Sequence, residues 1–249
     1  MTPQEKALAA KTNRENPNWF LTNFLGNISN AARLMRTSMQ FARTDPPLFQ
    51  EAVRSYIISL VASLETFYRD LFVFLYATRP HEVAFIVAKL CGRKRSIDSH
   101  PDLTEVEIAS ATISFQRMDA VEAALSPFVS DPEGYFAAIS KFPAICVIPS
   151  RSAYPAKIRL SPDWKVVIDA LLAERHRYTH DRNCKCDARA EFMQRAETVV
   201  LFLGQLTAFY FLGTLVRTAA PEGALPALLL IEDLIACDWE AMPPDPNEK

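Results

Sequence analysis

The 249 residues carry 27 Lys and Arg against 29 Asp and Glu, a formal charge of -2, and 49% of them are hydrophobic. A chain of this length and composition can bury one generous core or two small ones, which excludes an intrinsically disordered or fibrous protein. Its balanced charge excludes a global pull toward nucleic acid or membrane and leaves any such affinity to local patches.

Only six glycines occur, and no segment alternates in the Val/Ile/Thr manner of strands bounded by turn pairs. The expected fold class is therefore all-α, a helical bundle. It is read as a single domain over 18–242, between a polar leader at 1–17 and a disordered tail at 243–249. A first helix is predicted over 18–43, and "TDPP" (44–47) ends it and starts the next, because proline fits the first turn of a helix but not its interior. The second helix, 47–77, places Val53, Ile57, Leu60, Leu64, Phe67, Leu71 and Leu75 at three- and four-residue steps.

"TRPHE" breaks that helix; a shorter one follows at 81–91, then a basic loop over 92–103, then a helix at 105–129 with Thr104 as N-cap. Ser130 or Asp131, with Pro132 at the first helical position, opens "EGYFAAISKF", which Pro143 ends. The proline-punctuated stretch 143–160 is irregular, with room for a short extended piece. "SPDW" (161–164) starts a helix over 162–181, with Ser161 as cap, Pro162 next and Asp163 favoured by the helix dipole. After a break near 181–187, where Asp187 caps, a long helix covers 188–217, and "APEGALP" leads to a last helix at 226–240.

Within the long helix, "TVVLFLGQLTAFYFLGTLV" (198–216) is uncharged across about the span of a bilayer core. Gln205 and three threonines dilute it, and the polar "DARAEFMQRAE" before it continues the same helix. The centre of a bundle or a dimer seam is the expected place for such a helix, and no stable membrane insertion is expected. Cys91, Cys146, Cys184, Cys186 and Cys237 show no framework spacing, which fits reduced thiols in a cytoplasmic protein. The polar opening lacks the apolar run of a signal peptide.

Chemistry concentrates in "RHRYTHDRNCKCD" (175–187). Projected at about 100° per residue, Trp164, Val167, Ile168, Leu171 and Leu172 define an apolar stripe, and Arg175 falls on its middle. A guanidinium there must reach solvent or find a carboxylate. His176 and His180, four apart, share one face at the edge of the stripe, and Arg177 points toward water. A second basic run, "KLCGRKRS" (89–96), carries Lys89, Arg93, Lys94 and Arg95 with no acid.

The run Arg175-His176-Arg177-Tyr178-Thr179-His180, late in a helix of an all-helical chain that also holds "SYIISLVASLETFYRDLFVFLY" (55–76), resembles the HEPN superfamily. Its ribonuclease members carry Arg, a polar residue, then His within four to six intervening positions. The resemblance covers the motif, its place in the helix and the helical surroundings, not the whole chain. It implies a four-to-five-helix core with key helices at 47–77, 162–181 and 188–217, and a homodimer that brings two motifs together. The activity it implies is metal-independent cleavage of RNA, with no cofactor. Arg175 would clamp phosphate, His180 would act as general base or acid, and His176 would orient the pair or hold phosphate.

The chemistry agrees with those roles. Without a metal, a base must activate the ribose 2′-OH and a cation must stabilise the phosphorane-like transition state, tasks suited to His and Arg. DNA lacks the 2′-OH, so RNA specificity follows. Arg177, Arg182, Arg93, Lys94 and Arg95 are candidate RNA contacts. In biological terms the resemblance suggests a bacterial toxin or antiphage effector with an antitoxin or regulatory protein as a further partner. Glu65 is a candidate carboxylate for Arg175; the competing reading is a local pair between Glu65 and Arg69.

Other readings of the same residues stand beside this one. His176, His180, Cys184 and Cys186 make a Cys2His2 set for structural zinc, although Cys-x-Cys is tighter than usual. Cys184 or Cys186, beside Arg182 and Lys185, is a candidate nucleophile without an orienting third residue. The helix dipole alone accounts for Arg and His in a last turn, and a helical dimer can serve as a binding or scaffold module without chemistry.

Overall fold

The computed structural model describes residues 2–11, 19–77, 79–91, 101–142, 144–147, 156–158, 160–181, 184, 189–217, 227–229 and 239–241. Helices dominate them: α1 Pro3–Lys11, α2 Trp19–Ser38, α3 Pro46–Tyr76, α4 Pro80–Cys91, α5 Glu105–Thr112, α6 Met118–Leu125, α7 Tyr135–Lys141, α8 Trp164–His180 and α9 Ala190–Arg217. The all-α class expected from the sequence holds, with one small sheet added to it. Strands β1 Ala144–Val147, β2 Ala156–Ile158, β3 Ala227–Leu229 and β4 Trp239–Ala241 lie in the order β3-β1-β2-β4. The chain divides into two compact units, Met1–Phe136 and Ala137–Lys249, and the boundary falls inside α7 rather than in a linker.

In the first unit α3 is the central element. Its start is local chemistry: the Asp45 side chain accepts from the Leu48 N–H at 3.2 Å, and Pro46 and Pro47 occupy the first turn. All seven residues of the expected stripe are buried, and so are Tyr56, Val61, Tyr68, Phe72 and Tyr76 on other faces. α2 packs along it through Phe20 and Phe24, whose rings lie 5.7 and 4.8 Å from that of Phe67. At its far end the Tyr76 hydroxyl donates to the Ala124 carbonyl at 2.9 Å, and burial pushes its pKa well up.

Several expected elements differ in this unit. The polar leader contains α1, which begins with a capping box: the Thr2 hydroxyl accepts from the Glu5 N–H and the Glu5 carboxylate from the Thr2 N–H. Ala7 then buries itself against Leu103 and Ile108. The helix expected over 105–129 is two helices, because Ile113 is extended (φ -81, ψ 134) and Phe115 sinks into the core, 1% exposed. Thr104 does cap α5, with Glu107 completing the box.

Asp131 and Pro132 do not open a helix. They belong to a turn in which the Gly134 N–H donates to the Asp131 carbonyl at 3.0 Å and Gly134 takes φ +98. α7 starts only at Tyr135, where the Ser126 hydroxyl and the Glu122 carboxylate accept from the N–H groups of Tyr135 and Phe136.

In the second unit α8 packs on α9. α8 begins at Trp164, not at Pro162: the Trp164 N–H donates to the Ser161 carbonyl, and Asp163 stands at the cap position without a side-chain cap bond. Its carboxylate is engaged instead by Arg195 of α9. Trp164, Val167, Ile168, Leu171 and Tyr178 form the buried face of α8, and the Trp164 indole N–H donates to Ser140 Oγ at 3.2 Å.

α9 is buried on every side from Thr198 to Ala208. The Thr198 and Thr207 hydroxyls donate to the carbonyls of Gln194 and Leu203 one turn earlier, which satisfies them inside an apolar setting. Among the described residues no helix is long and apolar enough to cross a membrane.

The stretch 143–160 supplies two strands. β1 pairs antiparallel with β2, Ile145 opposite Lys157, and parallel with β3, Cys146 opposite Leu228; β2 pairs antiparallel with β4, Lys157 opposite Glu240. The last helix expected at 226–240 is thus corrected, since 227–229 is β3 and β4 begins at Trp239. A short apolar run such as "ALLL" does not distinguish helix from strand by periodicity, and the available edge of β1 decides. The break residues 185–188 with the expected Asp187 cap, and the tail at 243–249, lie outside the described residues.

Candidate active site

The last turns of α8 carry the motif, and the helix ends where Asp181 turns extended (φ -124, ψ 98). Arg175 is half-buried on the line of Trp164, Ile168 and Leu171, as the projection requires. His176 and His180 are both exposed, with ring centroids 4.4 Å apart and planes tilted by 52°. Between them the Thr179 hydroxyl donates to the carbonyls of Arg175 and His176, each at 3.0 Å, and so satisfies carbonyls of the final turn. The arrangement offers two solvent-accessible imidazoles and one half-buried guanidinium within two turns, groups able to accept, donate and neutralise charge at neutral pH.

Arg177 departs from expectation. It is half-buried rather than turned to water: its guanidinium donates to the Glu174 carboxylate at 2.6 Å and to the Tyr178 hydroxyl at 3.2 Å, and its Cζ stands 5.1 Å from the Tyr178 ring centroid. The hydrogen bond from Arg177 to Glu174, then that to Tyr178, raises the guanidinium pKa further above its ordinary value. Sequence reasoning missed Glu174 and Tyr178. Glu174 was readable, since an acid three residues before an arginine on one helix face is a pairing signal.

Glu65, the carboxylate expected to balance Arg175, is engaged within its own unit. Oε1 accepts from Arg69 at 2.8 Å and Oε2 from the Gln116 amide at 2.6 Å, so the local pair is realised and extended by a residue 51 positions away.

Among the described residues no group of three or more His, Cys, Asp or Glu side chains is arranged to hold a metal ion. The rival zinc set therefore does not assemble from His176, His180 and Cys184, because the helix stops at His180 and the four-residue spacing to Cys184 loses its meaning. Cys184 is half-buried, its N–H donating to the Asp181 carbonyl at 3.3 Å. Cys186, Arg182, Arg93, Lys94 and Arg95 lie outside the described residues.

The chain matches no protein-family model, no curated protein and no solved structure. The HEPN resemblance accordingly rests on the motif and its helical setting.

Proposed function

We propose that the protein is a metal-independent endoribonuclease whose chemistry is supplied by the C-terminal turns of α8. The observation that carries this reading is the exposed pair His176 and His180 with half-buried Arg175 beside it. In the proposed reaction His180 takes the proton of a ribose 2′-OH, O2′ attacks the adjacent phosphorus, and the bond to O5′ breaks. A second imidazole protonates O5′, leaving a 2′,3′-cyclic phosphate and a 5′-hydroxyl. Arg175 neutralises the charge that builds on the nonbridging oxygens. A homodimer, as the resemblance implies, would bring a second motif to the same phosphate. A toxin or defence role under the restraint of a regulatory protein is the biological setting that goes with this activity.

The test is cleavage of a labelled single-stranded RNA, beside its DNA counterpart, by purified protein in EDTA. Wild type should cut RNA only, and His180→Ala and Arg175→Ala should each lose roughly 100-fold or more, the scale of a removed general base or charge-stabilising donor. Equal cutting by the variants, or cutting abolished by EDTA, refutes the assignment. No cutting by well-folded wild type favours a binding module.

A further inference from the structure

The proposed chemistry uses His180 for proton transfer with His176 beside it, yet the geometry of the two imidazoles suits a second kind of ligand. His176 and His180 lie four residues apart, both are exposed, and their ring centroids are 4.4 Å apart. An ion holding one nitrogen of each ring at ~2.0–2.1 Å sets the centroids roughly 4.5–5 Å apart, so little adjustment of the rings is needed. Histidines at i and i+4 on one helix face are a recurring way for a helix to bind zinc. The carbonyl end of the helix favours a cation there, and the charge of Arg177 is already balanced by Glu174. Arg175, in the same turn, is the opposing charge. Imidazole nitrogen selects zinc, nickel or copper over calcium and magnesium, which take oxygen ligands.

We propose that His176 and His180 form a two-imidazole chelate for a borderline transition-metal ion of the zinc or nickel class, with water in its remaining positions. It is an exchangeable surface site, distinct from a closed set with Cys184 and Cys186. A bound ion ties up the His180 imidazole that proton transfer requires and so stops RNA cleavage; this consequence rests on the ribonuclease reading, whereas the binding does not.

The test is calorimetric titration of Ni2+ into metal-free, reduced, full-length protein. Wild type, His81→Ala and Cys184→Ser should bind one equivalent at the site. His176→Ala and His180→Ala should each weaken it by at least about tenfold, since the second imidazole acts as an intramolecular ligand. No binding by wild type, unchanged binding in either chelate variant, or loss in Cys184→Ser overturns the proposal. In the RNA assay Ni2+ should stop cleavage and EDTA restore it. Binding with no inhibition removes the inhibitory consequence, and binding with no cleavage even in EDTA defeats the ribonuclease reading while the chelate stands.

Discussion

Arg177 and Glu174 close a 2.6 Å ion pair across one turn near the end of α8, and the Tyr178 ring lies beneath the same guanidinium. Of the two arginines that flank His176, one is thereby committed to holding the helix end and only Arg175 is assigned to phosphate. Arg177→Ala should lower stability by ~0.5–1 kcal/mol, the scale of a partly exposed pair with a cation–π contact. Under the proposed reaction RNA cleavage should stay within about threefold of wild type, because that reaction assigns the removed group no transition-state contact. Urea unfolding and single-turnover cleavage read the two effects separately, and a large loss of cleavage at unchanged stability would return Arg177 to the substrate.

Glu65 carries two donors, Arg69 and Gln116, at a partly buried position. Glu65→Gln removes the charge that Arg69 answers and should cost ~1–2 kcal/mol. Cleavage should be unaffected once the variant is assayed well below its unfolding midpoint. A fall in cleavage without a fall in stability would instead support the role toward Arg175.

Gly134 sits at φ +98, and a Cβ there would collide with Glu122 Oε1 and crowd Ser126 Oγ at 2.9 Å. Those two side chains accept from the first N–H groups of α7, so the clash and the backbone strain strike one cap. Gly134→Ala should destabilise by roughly 1–3 kcal/mol or more. A midpoint in urea equal to that of wild type would contradict this account of the turn.

Asp163 accepts from Arg195, and that hydrogen bond holds its carboxyl below the usual carboxylate range. A group whose pKa is lower in the folded chain contributes stability that is complete above its unfolded value of about 3.9 and is lost as pH falls through the folded value. The contribution is small, because the two side chains are 51% and 42% exposed. Asp163→Asn should therefore be slightly less stable than wild type from about pH 5 to 7, and the gap should close in stronger acid. A gap that is constant with pH would assign the loss to packing rather than to charge.

Much of this protein is determined locally and is legible in the sequence alone. The Asp45, Pro46 start of α3, its buried stripe, the Thr104 cap and the exposed His176 and His180 on one face of α8 all depend on residues within a few positions of one another. Capping, proline geometry and the 3.6-residue period act at that range. Tertiary structure decided the rest, through partners that lie far along the chain. Gln116 reaches Glu65, Phe115 enters the core and splits the helix expected over 105–129, and β1 draws 227–229 into a sheet. Burial of Thr198 to Ala208 belongs here too, since the sequence shows an uncharged stretch but not what covers each of its faces.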